Sequence, residues 1–279
     1  MLDSFKKSFA LIWRNKPLFF LLLIAQIIFL AIFSFVSITY QTKVLESAKA
    51  MADYINQQQL DDVTITSRII NQESILGDDP LSISRNFNAM VSNFRIYLIY
   101  AFILLAVFMS ISWTLTSRLV HKSKFKHLIK QCFRIFVVSF FYLGLIFWFF
   151  YSLLNISLIQ AGTELSKLLA KYLVFLIFSI ILAYFMFVSI SLSNNTGLKS
   201  IAQKTLHIGI KKAHYILSAY FIIMLFFITP LSLMYYFIEK NILILLLSIL
   251  LLIFSFVFGR ILMVYVVEKL NRDYNNRHK

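Results

Sequence analysis

Along this chain, polar residues gather in short clusters, and the stretches between them are built almost entirely of Leu, Ile, Phe, Val and Ala. Six stretches reach the length of about 20 residues that an α-helix needs to cross the hydrocarbon of a bilayer. They cover about 17–40, 96–116, 135–159, 172–193, 215–238 and 242–267. The pattern predicts an all-α integral membrane protein with six transmembrane helices, in a single membrane domain covering 1–279. Pro17 opens the first stretch at a position where a helix tolerates proline. That stretch is about twice the apolar core of a signal peptide and no small-residue cleavage site follows it, so it reads as a retained anchor.

The first, third and fifth spans are each preceded by a basic amphipathic stretch: FKKSFALIWRNKPLFF from Phe5, FKHLIKQCFRIFVVSF from Phe125, and IAQKTLHIGIKKAHYI from Ile201. In the first, Phe5, Phe9, Ile12 and Trp13 share a face at helical spacing. In the second, Phe125, Leu128, Ile129, Cys132 and Phe133 do so. In the third, Ile201, Thr205, Ile208 and Lys212 form a weaker stripe, with Leu206 and Ile210 beside it. Helices of this kind lie in the headgroup plane, apolar face down and lysines toward anionic lipid. The expected unit is a basic interfacial helix followed by a transmembrane hairpin, used three times in the same orientation. The plainer alternative is that the basic residues before each span only set topology. Candidate lipid-contacting residues are Lys6, Lys7, Arg14, Lys126, Lys130, Arg134, Lys211 and Lys212, with Arg260 in the sixth span.

Between the first two spans lies a long loop, 41–95. Val44, Ala48, Met51 and Ile55 recur near the helical period, as do Ile83, Phe87, Met90 or Val91, and Phe94. The first two helices are therefore expected to continue past the bilayer as an antiparallel hairpin, closed by a tip at about 60–81. Gly77-Asp78-Asp79-Pro80 is a turn signal. The tip is acidic (Asp61, Asp62, Glu73, Asp78, Asp79) but lacks the spacing of a calcium loop. It reads as a solvated tip, and the hairpin as the surface most open to a protein partner.

Composition agrees with the span pattern. Of 279 residues 60% are hydrophobic and 14% charged, with 30 Phe and 14 Tyr, and the mean hydropathy is +0.80. A soluble domain is about half apolar and a quarter charged. A soluble enzyme and a disordered scaffold are excluded, and a single cysteine, Cys132, excludes a disulfide framework. Charge then orients the bundle. The N-terminus, the second and fourth loops and the tail from Arg260 hold 19 of the 27 Lys+Arg but three of the 12 acids. The positive-inside rule makes that face, with both termini, cytoplasmic. The net charge of +15 thus reflects topology and anionic headgroups rather than nucleic acid.

Candidate chemistry is sparse. Ionisable groups deep in a span are the usual functional signal. Arg260 is the nearest case, placed toward the inner end of its helix within snorkelling reach of the interface. Hydroxyls and amides (Gln26, Ser34, Ser110, Ser112, Thr114, Ser139, Ser152, Asn155, Ser189, Ser191, Ser218, Thr229, Ser232) are expected to bond helices together. Pro230 removes a backbone donor and is expected to kink the fifth span. The five histidines stand among lysines, and neither HExxH nor a nucleotide-binding glycine loop occurs. No cofactor, metal or catalytic residue is expected.

The opening Phe5-Lys6-Lys7-Ser8-Phe9 with Trp13-Arg14-Asn15-Lys16, and its threefold layout, resembles prokaryotic six-pass membrane protein families of unknown function. It is also similar in layout to the membrane domain of glycerophosphodiester phosphodiesterases. The resemblance implies a fold, not a set of catalytic residues, and the long first outer loop departs from it. The expected role is that of a non-enzymatic accessory or assembly component in the cell membrane, contacting a partner or lipid. A transporter or channel for a neutral or lipid-like substrate is the alternative, and a lipid-modifying enzyme is the least supported.

Overall fold

The computed structural model describes residues 2–57, 79, 81–121, 125–153, 165–193 and 197–277. The described chain forms eight helices and no strand: α1 (Leu2–Arg14), α2 (Lys16–Gln57), α3 (Leu81–His121), α4 (Phe125–Leu153), α5 (Leu165–Leu192), α6 (Leu198–Lys211), α7 (Ala213–Phe237) and α8 (Ile242–Arg277). Six of them, α2, α3, α4, α5, α7 and α8, are long and apolar enough to cross a membrane. In the most apolar window of each, only 17–33% of the residues are buried by the rest of the protein. So much unburied Leu, Ile and Phe is stable only in a solvent as apolar as themselves, and lipid is that solvent.

Helices here outrun the bilayer. α2 has 42 residues and α8 has 36; at 1.5 Å per residue α8 is about 54 Å long, against roughly 30 Å of hydrocarbon. Nothing in these sequences stops a helix at the headgroups, since breakers are rare: the chain has six glycines and three prolines. Two breaks separate basic helices from the spans that follow them. At Asn15, its N–H still reaches Leu11 O at 3.1 Å, but Pro17 two residues on has no N–H to continue the ladder. At Lys212 the backbone leaves the helical region (φ −116°, ψ 21°). The basic stretch from Phe125 differs: it has no break, and forms the opening turns of α4 itself. Neither glycine nor proline occurs between Phe125 and Leu143, so nothing separates the amphipathic part from the span.

The chain divides into two compact units. The first comprises Met1–Leu30, Leu105–Leu145 and Phe178–Lys279. Its core is the α8 segment that includes Val257, Phe258, Ile261, Leu262 and Val267, all fully buried. Phe258 meets Phe5 of α1 at 5.2 Å and Phe226 of α7 at 5.1 Å. Gly259 makes room for α7: a Cβ there would lie 3.0 Å from Ile223 Cγ2. α6 lies close on α5, where a Cβ on Gly209 would come within 2.9 Å of Phe185. The Gly209 carbonyl, near the end of its helix and short of an intrahelical partner, accepts a 2.7 Å bond from Tyr184 Oη.

α7 runs through Pro230 as one helix. Proline cannot donate to the carbonyl four residues back, which leaves Phe226 O free. Ser255 Oγ of α8 fills that place at 2.9 Å, while also lying 2.8 Å from Leu251 O in its own helix. A hydroxyl on the next helix thus restores the bond that proline removes, as apolar surroundings require.

The second unit comprises Ala31–Leu104 and Ile146–Ile177. Tyrosines and phenylalanines join its helices: Ser37 Oγ and Tyr97 Oη are 3.2 Å apart, Phe102 meets Phe147 at 5.6 Å, and Phe175 meets Phe149 and Phe150. Near the end of α2, Tyr54 Oη accepts from the Asp79 N–H at 3.2 Å, and Arg85 pairs with Asp79. The expected acidic tip, with Asp61, Asp62, Glu73 and Asp78, lies outside the described residues.

Candidate functional site

The basic stretches set two different faces against each other. In α1 the inward stripe is Ser4, Ser8 and Ile12, all buried; Ser8 Oγ bonds Ser4 O at 2.9 Å, so its polarity is satisfied within the helix. Of the apolar residues read as one face, Phe5 and Ile12 turn inward, whereas Phe9 and Trp13 are exposed, Trp13 by 71%. Lys6, Lys7 and Arg14 are exposed beside them. Phe5, Lys6, Phe9, Ala10 and Trp13 line a shallow concavity of about 520 Å³, and Lys16 Nζ lies 4.5 Å from the Trp13 ring.

α6 repeats the arrangement. Ile201, Thr205, Ile208 and Gly209 are buried, and a second apolar stripe, Leu198, Leu206 and Ile210, is exposed between the exposed Lys199 and Lys211. Lys212 is partly buried, its Nζ 5.9 Å from the Tyr215 ring. In the first turns of α4, Leu128, Gln131 and Ile135 face inward while Ile129 and Phe133 are exposed alongside Lys130. Arg134 is partly buried, and the side chain of Lys126 lies outside the described residues.

Arg260 is set differently. Its Nη2 donates to Gln26 Oε1 of α2 at 3.0 Å, and its guanidinium carbon stands 5.6 Å from the Phe108 ring, which stacks on Phe29 at 3.8 Å. Gln26 is buried. Arg260 Nε is buried and has no hydrogen-bond partner among the described residues. No carboxylate among them pairs with this guanidinium either. The side chain is held by a neutral amide and an aromatic face, with no carboxylate partner among the described residues. Sequence alone could not place Gln26 beside it, 234 positions away.

Two more polar groups shape the first unit. Glu268 Oε1 accepts from Arg272 Nη2 at 2.6 Å and Nε at 3.2 Å, and its Oε2 lies 3.2 Å from His121 Nε2. The carboxylate thereby ties the end of α3 to α8. Ser189 Oγ lies 3.0 Å from Thr205 Oγ1 and 3.2 Å from Tyr142 Oη, linking α4, α5 and α6. Trp113 Nε1, Ser117 Oγ, Gln131 Nε2 and Ser139 Oγ are buried without a hydrogen-bond partner among the described residues. Among those residues, no group of three or more His, Cys, Asp or Glu is placed to hold a metal ion. What the described residues offer chemically is apolar contact beside lysine on exposed faces, and a partly buried guanidinium at Arg260.

Comparison with protein-family models, with curated proteins and with solved structures finds no match for this chain.

Proposed function

We propose that this is a multi-pass protein of the cell membrane, with both termini in the cytoplasm, that acts without catalysis as an accessory or assembly component. In this reading three basic amphipathic segments bed the cytoplasmic ends of the bundle on anionic lipid, and residues 41–95 present a surface to a protein partner on the other side. The supporting observation is the exposed apolar stripe flanked by exposed lysine, seen on α1, on α6 and at the start of α4. Exposed Trp13, Phe133 and Ile210 call for an apolar covering, and the neighbouring lysines suit anionic headgroups at about 1 kcal/mol each. The opening turns of α4 serve the same purpose without being a separate helix.

Topology labelling tests the orientation. In a Cys132→Ser background, Ile70→Cys should react with an impermeant maleimide only from outside the cell, and Leu206→Cys only after the cytoplasmic face is opened. Cytosolic labelling at position 70 would overturn the proposal. Native mass spectrometry of the full chain tests the lipid arm: replacing Lys6, Lys7, Lys130 and Lys211 with Gln should remove co-purifying anionic lipid while neutral lipid stays bound.

A transporter of a neutral or lipid-like substrate is the second reading. The buried Trp113, Ser117, Gln131 and Ser139 groups, each without a partner among the described residues, favour it, because such groups ordinarily hydrogen-bond water or a ligand.

A further inference from the structure

Aromatic rings of α1, α2 and α8 join two concavities at different depths. The first is the hollow of about 520 Å³ on α1, lined by Phe5, Lys6, Phe9, Ala10 and Trp13, with Lys16 Nζ 4.5 Å from the Trp13 ring. The second is an apolar groove of about 370 Å³ between α2 and α8, whose lining includes Leu23, Ile27, Leu247, Leu250 and Phe254. Phe254 is the link. Its ring lies 6.4 Å from that of Phe9, which lines the hollow, and 5.7 Å from that of Phe19. Phe19 in turn stands about one helical turn from Lys16 on one side and from Leu23 on the other. Ring contacts therefore run from the groove to the hollow that the two lysines border.

Depth and charge say what such a path holds. Lys6 and Lys16 are exposed, and Pro17 opens the span. At 1.5 Å per residue, Leu23 and Ile27 lie about 9 and 15 Å beyond Pro17. That is the range of the lower acyl chain in one leaflet of a hydrocarbon layer about 30 Å thick. Cations at the headgroup level, an indole beside them and an aliphatic wall below follow the order of an anionic phospholipid: phosphate, glycerol, chain. A zwitterionic headgroup suits the site less, because it carries a cation of its own that the lysines repel.

We propose that α1, α2 and α8 hold one anionic phospholipid of the cytoplasmic leaflet at a defined site. Its phosphate lies by Lys6 and Lys16, its glycerol over Phe9 and Trp13, and one acyl chain passes Phe254 into the groove beside Leu23, Ile27 and Leu250. The second chain stays in the bilayer. This rests on the reading of the basic segments as cytoplasmic and lipid-facing, and sharpens it from a general attraction to a single saturable site.

The test uses the full chain in mild detergent with phosphatidylglycerol carrying a diazirine at mid-chain. Irradiation should label peptides containing 23–27 or 247–254, and the labelling should saturate. Unlabelled phosphatidylglycerol should compete about tenfold better than phosphatidylcholine with the same chains. Lys6→Gln with Lys16→Gln should lower labelling about tenfold, the loss expected for two lysines at headgroup level. Lys130→Gln with Lys211→Gln should leave it unchanged. Leu250→Trp, which fills the groove, should lower labelling as much, while native mass spectrometry still finds anionic lipid on the other basic segments. Equal competition by phosphatidylcholine, an equal loss from the Lys130 and Lys211 pair, or labelling that never saturates overturns the site. If anionic lipid still co-purifies with the unaltered chain, only the defined site falls; if none does, the broader lipid reading falls with it. The competition arm uses the unaltered chain, so it stands even if a variant fails to fold.

Discussion

The two units of this chain solve one problem in contrasting ways. In the second, Leu98, Ala101 and Phe175 are the buried residues among those described, and its helices meet through tyrosine and phenylalanine edges. In the first, each of the largest fully buried side chains is found, from Leu22 to Val267. The buried polar groups are there too, among them Ser110, Ser112, Thr114, Thr116 and Ser117 along one helix and Ser189, Ser191 and Ser193 along another. In lipid, hydrophobicity supplies no force between helices, because a leucine is as well solvated by acyl chains as by another leucine. Close packing then depends on small residues and on hydrogen bonds with no other outlet. The first unit has both, and the second has few.

The sharpest way to break this contrast is to cut equal volumes from each unit. Phe258→Ala removes a fully buried ring in contact with Phe5, Phe226 and Phe254, and should cost about 3–5 kcal/mol. Phe35→Ala, at a ring 73% exposed, should change stability by less than about 0.5 kcal/mol. Thermal unfolding followed by tryptophan fluorescence in one detergent compares them, and similar losses would show that burial does not separate the units. Next in size is Glu268→Gln, which leaves Arg272 and His121 without their shared carboxylate. It should cost about 1–3 kcal/mol in the same assay.

Ser255→Ala should cost about 1 kcal/mol, and should cost nothing once Pro230 is replaced by Ala, because the α7 ladder then satisfies Phe226 O itself. A double-mutant cycle measures that coupling; additive effects would mean that the hydroxyl serves only Leu251. Another small effect belongs to the second unit. Asp79→Asn breaks the exposed pair with Arg85, whose side chains are 48% and 69% accessible. It should shift stability by under about 1 kcal/mol, and still less as salt is raised.

The six spans are legible in the sequence because length and apolarity alone define them. Amphipathic faces are legible only in part. The usual rule puts apolar residues inward, yet α1 buries Ser4 and Ser8 and exposes Trp13, since small residues let helices approach. Pro230 announces a missing donor, but Ser255, which answers it, is one serine among many until the neighbouring helix is known. The Arg260–Gln26 contact carries no local signal at all. Arg260 read alone is a cation able to stretch toward headgroups, and only the tertiary fold turns it to an amide.

That contact also bears on how the protein is made. Gln26 leaves the ribosome 234 residues ahead of Arg260, an interval of tens of seconds at about 5–20 residues per second. Throughout it the first transmembrane helix resides in the bilayer with an amide that lacks its final mate. Closure of the bundle therefore waits on the last helix, and a nascent chain truncated before α8 would carry a polar flag in the lipid by which an unfinished molecule can be told from a complete one.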